Sequence, residues 1–127
     1  MSDLPPVPRG GATVVAVCWA LAGALHVVIG LGASGFAATV AFALAGVAFV
    51  GAGALSVTPR GELLIAAAVA GTVGVAVFAL PLVLPLLGVG DPVADPTEPW
   101  AIGGFLVDAL VVRLAIFTLR RAHRVHR

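Results

Sequence analysis

Residues 100–119 read WAIGGFLVDALVVRLAIFTL, twenty residues in which Asp108 and Arg113 are the only charges. An α-helix rises about 1.5 Å per residue, so this stretch covers about 30 Å, the hydrocarbon thickness of a bilayer. The two charges lower its hydropathy, and the fold turns on whether they keep it out of the membrane. Outside the membrane, a run of Ala, Val, Leu, Ile and Phe would stand in water. Inside, it completes an even number of spans and puts both chain ends on the same side.

Three more apolar runs precede it, over residues 12–31, 36–55 and 63–87. Helix breakers separate them. Gly32, Ser34 and Gly35 follow the first run, and Ser56, Thr58, Pro59 and Gly61 follow the second. Gly88, Gly90, Asp91, Pro92, Asp95, Pro96 and Pro99 form the longest connection. Pro81 and Pro85 sit late in the third run, where a missing N–H predicts a kink or an irregular last turn. Residues 1–11, with Pro5, Pro6 and Pro8, read as a disordered or extended arm, and residues 120–127 as a basic tail. Residues 12–119 form one domain with no internal repeat. The first run is too long for a signal-peptide core, and Trp19, Ala20 and Leu21 follow Cys18 where a lipid-attachment site needs polar residues, so neither cleavage nor lipidation is expected. The expected fold is all-α, an integral membrane antiparallel four-helix bundle.

Composition agrees. Hydrophobic residues make up 61% of the chain and charged residues 10%, with a mean hydropathy of +1.15. A soluble domain carries about 45–50% and about 25%. Seven basic and six acidic side chains cannot coat a water-facing surface. That argues against a soluble enzyme, a disordered chain and a nucleic-acid-binding module. A single cysteine, Cys18, forms no internal disulfide, CxxC pair or cysteine zinc site. No cofactor or metal is expected, and no nucleophile–base set is visible, so the chain does not read as an enzyme.

The arginines set the orientation. Arg9 precedes the first span, Arg60 lies between the second and third, and Arg120, Arg121, Arg124 and Arg127 follow the fourth. The other connections carry no base, and the third holds Asp91, Asp95 and Glu98 instead. Basic residues stay on the cytoplasmic side, so both termini are predicted cytoplasmic in a multi-pass protein of the cell membrane. Trp100 opens the fourth span where an indole suits the opposite interface. The basic tail, Arg120, Arg121, Arg124 and Arg127, is expected to contact anionic lipid head groups. His123 and His126 are two ligands without a third, a weak metal signal.

Lipid gives helices no hydrophobic reason to associate, so small residues that allow close approach matter. They recur at four-residue spacing as Ala12, Ala16, Ala20 and Ala24, as Ala37, Ala41 and Ala45 (with Gly46, Gly51 and Gly53), and as Ala66, Ala70 and Gly74. The expected partners are the bilayer itself and either a second copy or another membrane protein.

Three ionisable side chains fall inside the spans, His26, Asp108 and Arg113, and such groups are functional candidates because burial is costly. His26 has mostly small helical neighbours, Ala22, Gly23 and Gly30. Asp108 lies about 12 Å in from Trp100, and the depths of His26 and Asp108 differ by about 5 Å, so the two can meet. Such a pair is a structural tie between the first and last spans or, alternatively, a proton- or substrate-handling site. Arg113 is five residues from Asp108, about 140° around the helix, and is expected to snorkel toward the head groups.

The order of features resembles a group of small four-span membrane proteins of halophilic archaea that has no established activity. The matching residues are AGALH at 22–26 with Gly30, FALAGVAFVGA at 42–52, Arg60, Asp108 and the closing Leu119, Arg120 and Arg121. The chain departs from that group at Pro81 and Pro85, where an aromatic ending is expected. The resemblance implies fold and location only. Two functions remain open from the residues: an accessory or interaction subunit, and a small transporter or proton-coupled component using His26 and Asp108.

Overall fold

The structure is a computed structural model that describes residues 4–90 and 99–125. It contains four long helices: α1 (Arg9–Gly32), α2 (Gly35–Val57), α3 (Gly61–Val83) and α4 (Pro99–Val125). All are long and apolar enough to cross a membrane. No strand occurs among the described residues. With 23 to 27 residues each, the helices are about 35–40 Å long.

Hydropathy finds the dry part of each helix, and the helices run past it at both ends. Arg9, Gly10 and Gly11, expected in the arm, are already helical, and the first turn is tied down by Ala12 N–H donating to the Pro8 carbonyl at 3.0 Å. Val7 is buried, and Leu4 lies against Gly61 at the start of α3. At the other end of the chain, α4 continues through Arg120, Arg121 and Arg124, so the described part of the basic tail is helix. Arg127, and the acidic residues Asp91, Asp95 and Glu98, lie outside the described residues.

The breakers act through identifiable backbone chemistry. Between α1 and α2 only Ala33 and Ser34 are non-helical, and Gly35 takes φ +61°, a conformation open to glycine at little cost. After Val83, α3 tightens into a 3-10 turn over Leu84–Leu87. Pro81 and Pro85 each remove an N–H that an α-helix would have used. Gly88, at φ +84°, ends the turn, with Gly88 N–H donating to the Pro85 carbonyl at 3.1 Å and Val89 N–H to the Leu84 carbonyl at 2.9 Å. This is the Schellman closure, and it satisfies the Leu84 and Pro85 carbonyls at the helix end.

Inside and outside are sorted by size. The buried apolar residues are mostly alanines, joined by Val15, Trp19, Leu55, Leu64 and Val111. Leu31, Phe36, Val50 and Val57 are among the many large apolar side chains on the outside. That pattern is wrong for water and right for lipid, where small residues bring helices together. Hydroxyls are dealt with locally. Thr13, Thr39, Ser56, Thr72 and Thr118 each donate to the carbonyl four residues back, so none presents an unpaired donor.

Helix α1 packs most broadly on α2 and α3 on α4, and the α1–α4 contact joins the two pairs; α2 and α3 touch over less. Glycine meets aromatic ring along the α1–α2 seam. Phe42 covers Gly30, Phe49 covers Gly23, and the Trp19 indole lies on Gly51, leaving no room for a Cβ at Gly51 and little at the other two. The partner's number falls in α2 as the number rises in α1. On α3 the buried stripe is Leu64, Ala67, Gly71 and Gly74, whereas Ala66 is exposed and Ala70 half-buried. Four-residue spacing picked the neighbouring stripe there, because α3 is almost uniformly apolar around its axis.

Candidate functional site

His26 and Asp108 meet. His26 Nε2 lies 2.8 Å from Asp108 Oδ2, a buried contact that crosses from α1 to α4. His26 is 7% exposed and Asp108 3%. Both positions follow from local sequence. His26 belongs to the buried α1 face of Ala22, Gly23 and Gly30, and Asp108 to the buried α4 face of Gly104, Val111 and Ala115. The depth argument brought the two within about 5 Å in depth, and the inward turn of both faces completes the contact.

Asp108 needs a third element. Helix α3 comes so close at Gly71 and Gly74 that a Cβ on Gly71 would lie 2.8 Å from the Asp108 carbonyl oxygen, and one on Gly74 would run into the carboxylate. The carboxyl group therefore rests on bare helix backbone. Spacing singled out Gly74 as a small residue but not as the seat of Asp108, and it passed over Gly71. The Gly-x-x-Gly pair within the apolar run was the available signal.

The pair lines one side of a cavity of about 350 Å³ between the four helices. Its walls are apolar, among them Ile29, Leu44, Val77, Leu82 and Phe105. Phe78 and Phe105 stack across the α3–α4 seam with ring centroids 4.9 Å apart. Pro81 also lines it, so the irregular end of α3 shapes the hollow. Around residues 12–19, 48–55, 64–67 and 111–115 the helices instead close on a continuous core. The bundle thus has a closed half and a hollow half, and His26–Asp108 belongs to the hollow half's lining.

Arg113 is apart from the pair. It is exposed on α4 and lines a shallow concavity with Ile116, Phe117, Arg120, Arg121 and Arg124. No ion pair to any of these four arginines occurs among the described residues, where the other charged contact is Arg60 Nε to Glu62 Oε2 at 3.8 Å, exposed and weak. His123 Nδ1 lies 3.2 Å from the Leu119 carbonyl on its own helix. Among the described residues no three His, Cys, Asp or Glu side chains gather to hold a metal. Cys18 is a free, half-buried thiol.

Comparison with protein-family models, with curated proteins and with solved structures finds no match to this chain. The class of molecule therefore rests on the fold and the site: four apolar helices compatible with a small membrane protein, with one buried His–Asp contact between them.

Proposed function

We propose that the chain is a multi-pass protein of the cell membrane whose helices run antiparallel with both termini cytoplasmic, and that it serves as a non-enzymatic accessory or interaction subunit. The single observation carrying the reading is the buried His26–Asp108 contact. It pairs the two buried ionisable side chains with each other, as a tie between α1 and α4 would. The descending contacts along α1–α2 support the antiparallel course, and the three basic segments support the sidedness. Arg120, Arg121, Arg124 and Arg127 then meet anionic head groups, with Arg113 snorkelling toward them. A second copy or another membrane protein is the partner class. On AGALH at 22–26 and FALAGVAFVGA at 42–52 we group the chain with the small four-span proteins of halophilic archaea.

A second reading, a small transporter or proton-coupled component, is favoured by the cavity that reaches the pair. Proteoliposomes loaded with a pH-sensitive dye separate the two. An accessory subunit leaves proton flux at the level of empty liposomes, for the wild type and for Asp108→Asn alike. Flux in the wild type that Asp108→Asn abolishes would replace the first reading with the second.

A further inference from the structure

We propose that the hollow half is a binding site for an uncharged, largely apolar molecule with a carbonyl group that accepts a hydrogen bond from His26 Nδ1. This deepens the reading of His26–Asp108 as a lasting contact, on which it rests.

The argument begins with hydrogen bonds. The His26 side chain is 9% exposed, and its Nε2 is engaged by Asp108. No described residue bonds Nδ1, yet among the described residues no fully covered side-chain nitrogen or oxygen lacks a partner. Nδ1 therefore keeps surface of its own, and His26 is one of the residues that line the cavity.

Proton bookkeeping sets its polarity. An apolar, low-dielectric surround disfavours a net charge on the pair. Among the uncharged arrangements, the two that make the strong charge-assisted or acid-to-imidazole bond across 2.8 Å are an imidazolium with a carboxylate and a neutral imidazole whose Nε2 accepts from a carboxylic acid. In both, Nδ1 carries a proton. The cavity thus presents one N–H donor among apolar walls.

A cavity of about 350 Å³ lies within the range of small-molecule sites, which are mostly apolar with a few placed polar groups. A carbonyl answers the donor, and an apolar body answers Ile29, Leu44, Val77 and Phe105. A carboxylate ligand would bring a charge beside Asp108 and is excluded by the same reasoning. The carbonyl can belong to a lipid ester or to a free ketone-like molecule dissolved in the bilayer.

The test uses the full chain in lipid nanodiscs, labelled with ¹⁵N-histidine, titrated with 2,3-dimethyl-1,4-naphthoquinone. The shape-matched control without carbonyls is 2,3-dimethylnaphthalene. A second arm compares ester-linked with ether-linked lipid as the nanodisc bilayer, which tells a lipid carbonyl from a free one. The expected result is a saturable shift of the His26 Nδ1 signal by the quinone and about tenfold weaker binding of the hydrocarbon, the worth of one hydrogen bond. If a lipid ester is the ligand, the quinone competes only in ether-linked nanodiscs. His26→Leu should erase the preference for the carbonyl. Ala37→Trp, at an exposed position in the lining, should block both probes while leaving the helical circular dichroism unchanged, and Ala41→Phe repeats that test deeper. Equal binding of quinone and hydrocarbon in both lipids, or binding indifferent to both cavity-filling variants, would overturn the proposal. A His26–Asp108 contact found absent without any probe would instead remove the reading beneath it, and the unligated spectrum reports that separately.

Discussion

At the scale of single residues, the Asp108 carboxyl group is placed by what α3 lacks as much as by His26. A Cβ at position 74 cannot coexist with the carboxylate where it stands. Two effects compete in Gly74→Ala. Alanine favours the helix by about 1 kcal/mol, while forcing an extra methyl into a closed contact costs about 1–3 kcal/mol. The second wins, because the oxygen that a Cβ would meet, Oδ2, is the one His26 holds. Gly74→Ala is expected to destabilise the bundle by about 1 kcal/mol in denaturant titration and to shift the His26 ring signals; unchanged ring signals would show that the carboxylate does not rest there. Much of this site was legible. Cost in the membrane singled out His26, Asp108 and Arg113, and depth put the first two within about 5 Å. The seat on Gly71 and Gly74 was not, because a glycine in an apolar run says that something comes close without saying what.

At the scale of the helices, apolar length announces all four, and the misjudged boundaries share a cause. A hydropathy reading ends where the solvent changes, but a helix ends where its hydrogen bonds do. So α1 starts at Arg9 and α4 continues to Val125. The stripes that face inward were the least legible part, since Ala66 and Ala67 are equally small and only packing tells them apart. The end of α3 is where local chemistry speaks most plainly. Pro81 and Pro85 remove donors, and Gly88 supplies the left-handed turn that ends the segment on the Leu84 and Pro85 carbonyls. A side chain at φ +84° costs roughly 1–2 kcal/mol. Gly88→Ala should therefore speed hydrogen exchange at the Val89 amide, which donates to Leu84, by about tenfold, and leave exchange in α1 unaltered. Exchange at Val89 as slow as in the wild type would mean that the closure does not depend on glycine.

At the scale of the whole molecule, a half packed on Trp19, Leu55, Leu64 and Val111 carries a half that is hollow. That division could not be read from composition, because both halves draw on the same Ala, Gly, Val and Leu. It comes from which helix pairs touch, with α2 and α3 meeting over less than α1 with α2, α3 with α4 or α1 with α4. The charges operate at this scale too. If both ends are cytoplasmic, a cysteine added after Arg127, in a Cys18→Ala background, stays unlabelled by a membrane-impermeant maleimide applied to intact cells and becomes labelled once they are lysed; labelling of intact cells would reverse the orientation. The account as a whole depends most on one contact between the first helix and the last. Solid-state NMR of the chain in lipid bilayers, with ¹⁵N in histidine and ¹³C in the aspartate carboxyl groups, measures it directly. The account predicts a strong dipolar coupling between His26 Nε2 and Asp108 Cγ, as a 2.8 Å nitrogen–oxygen contact requires, and its loss in Asp108→Ala. Absence of that coupling in the wild type would contradict it.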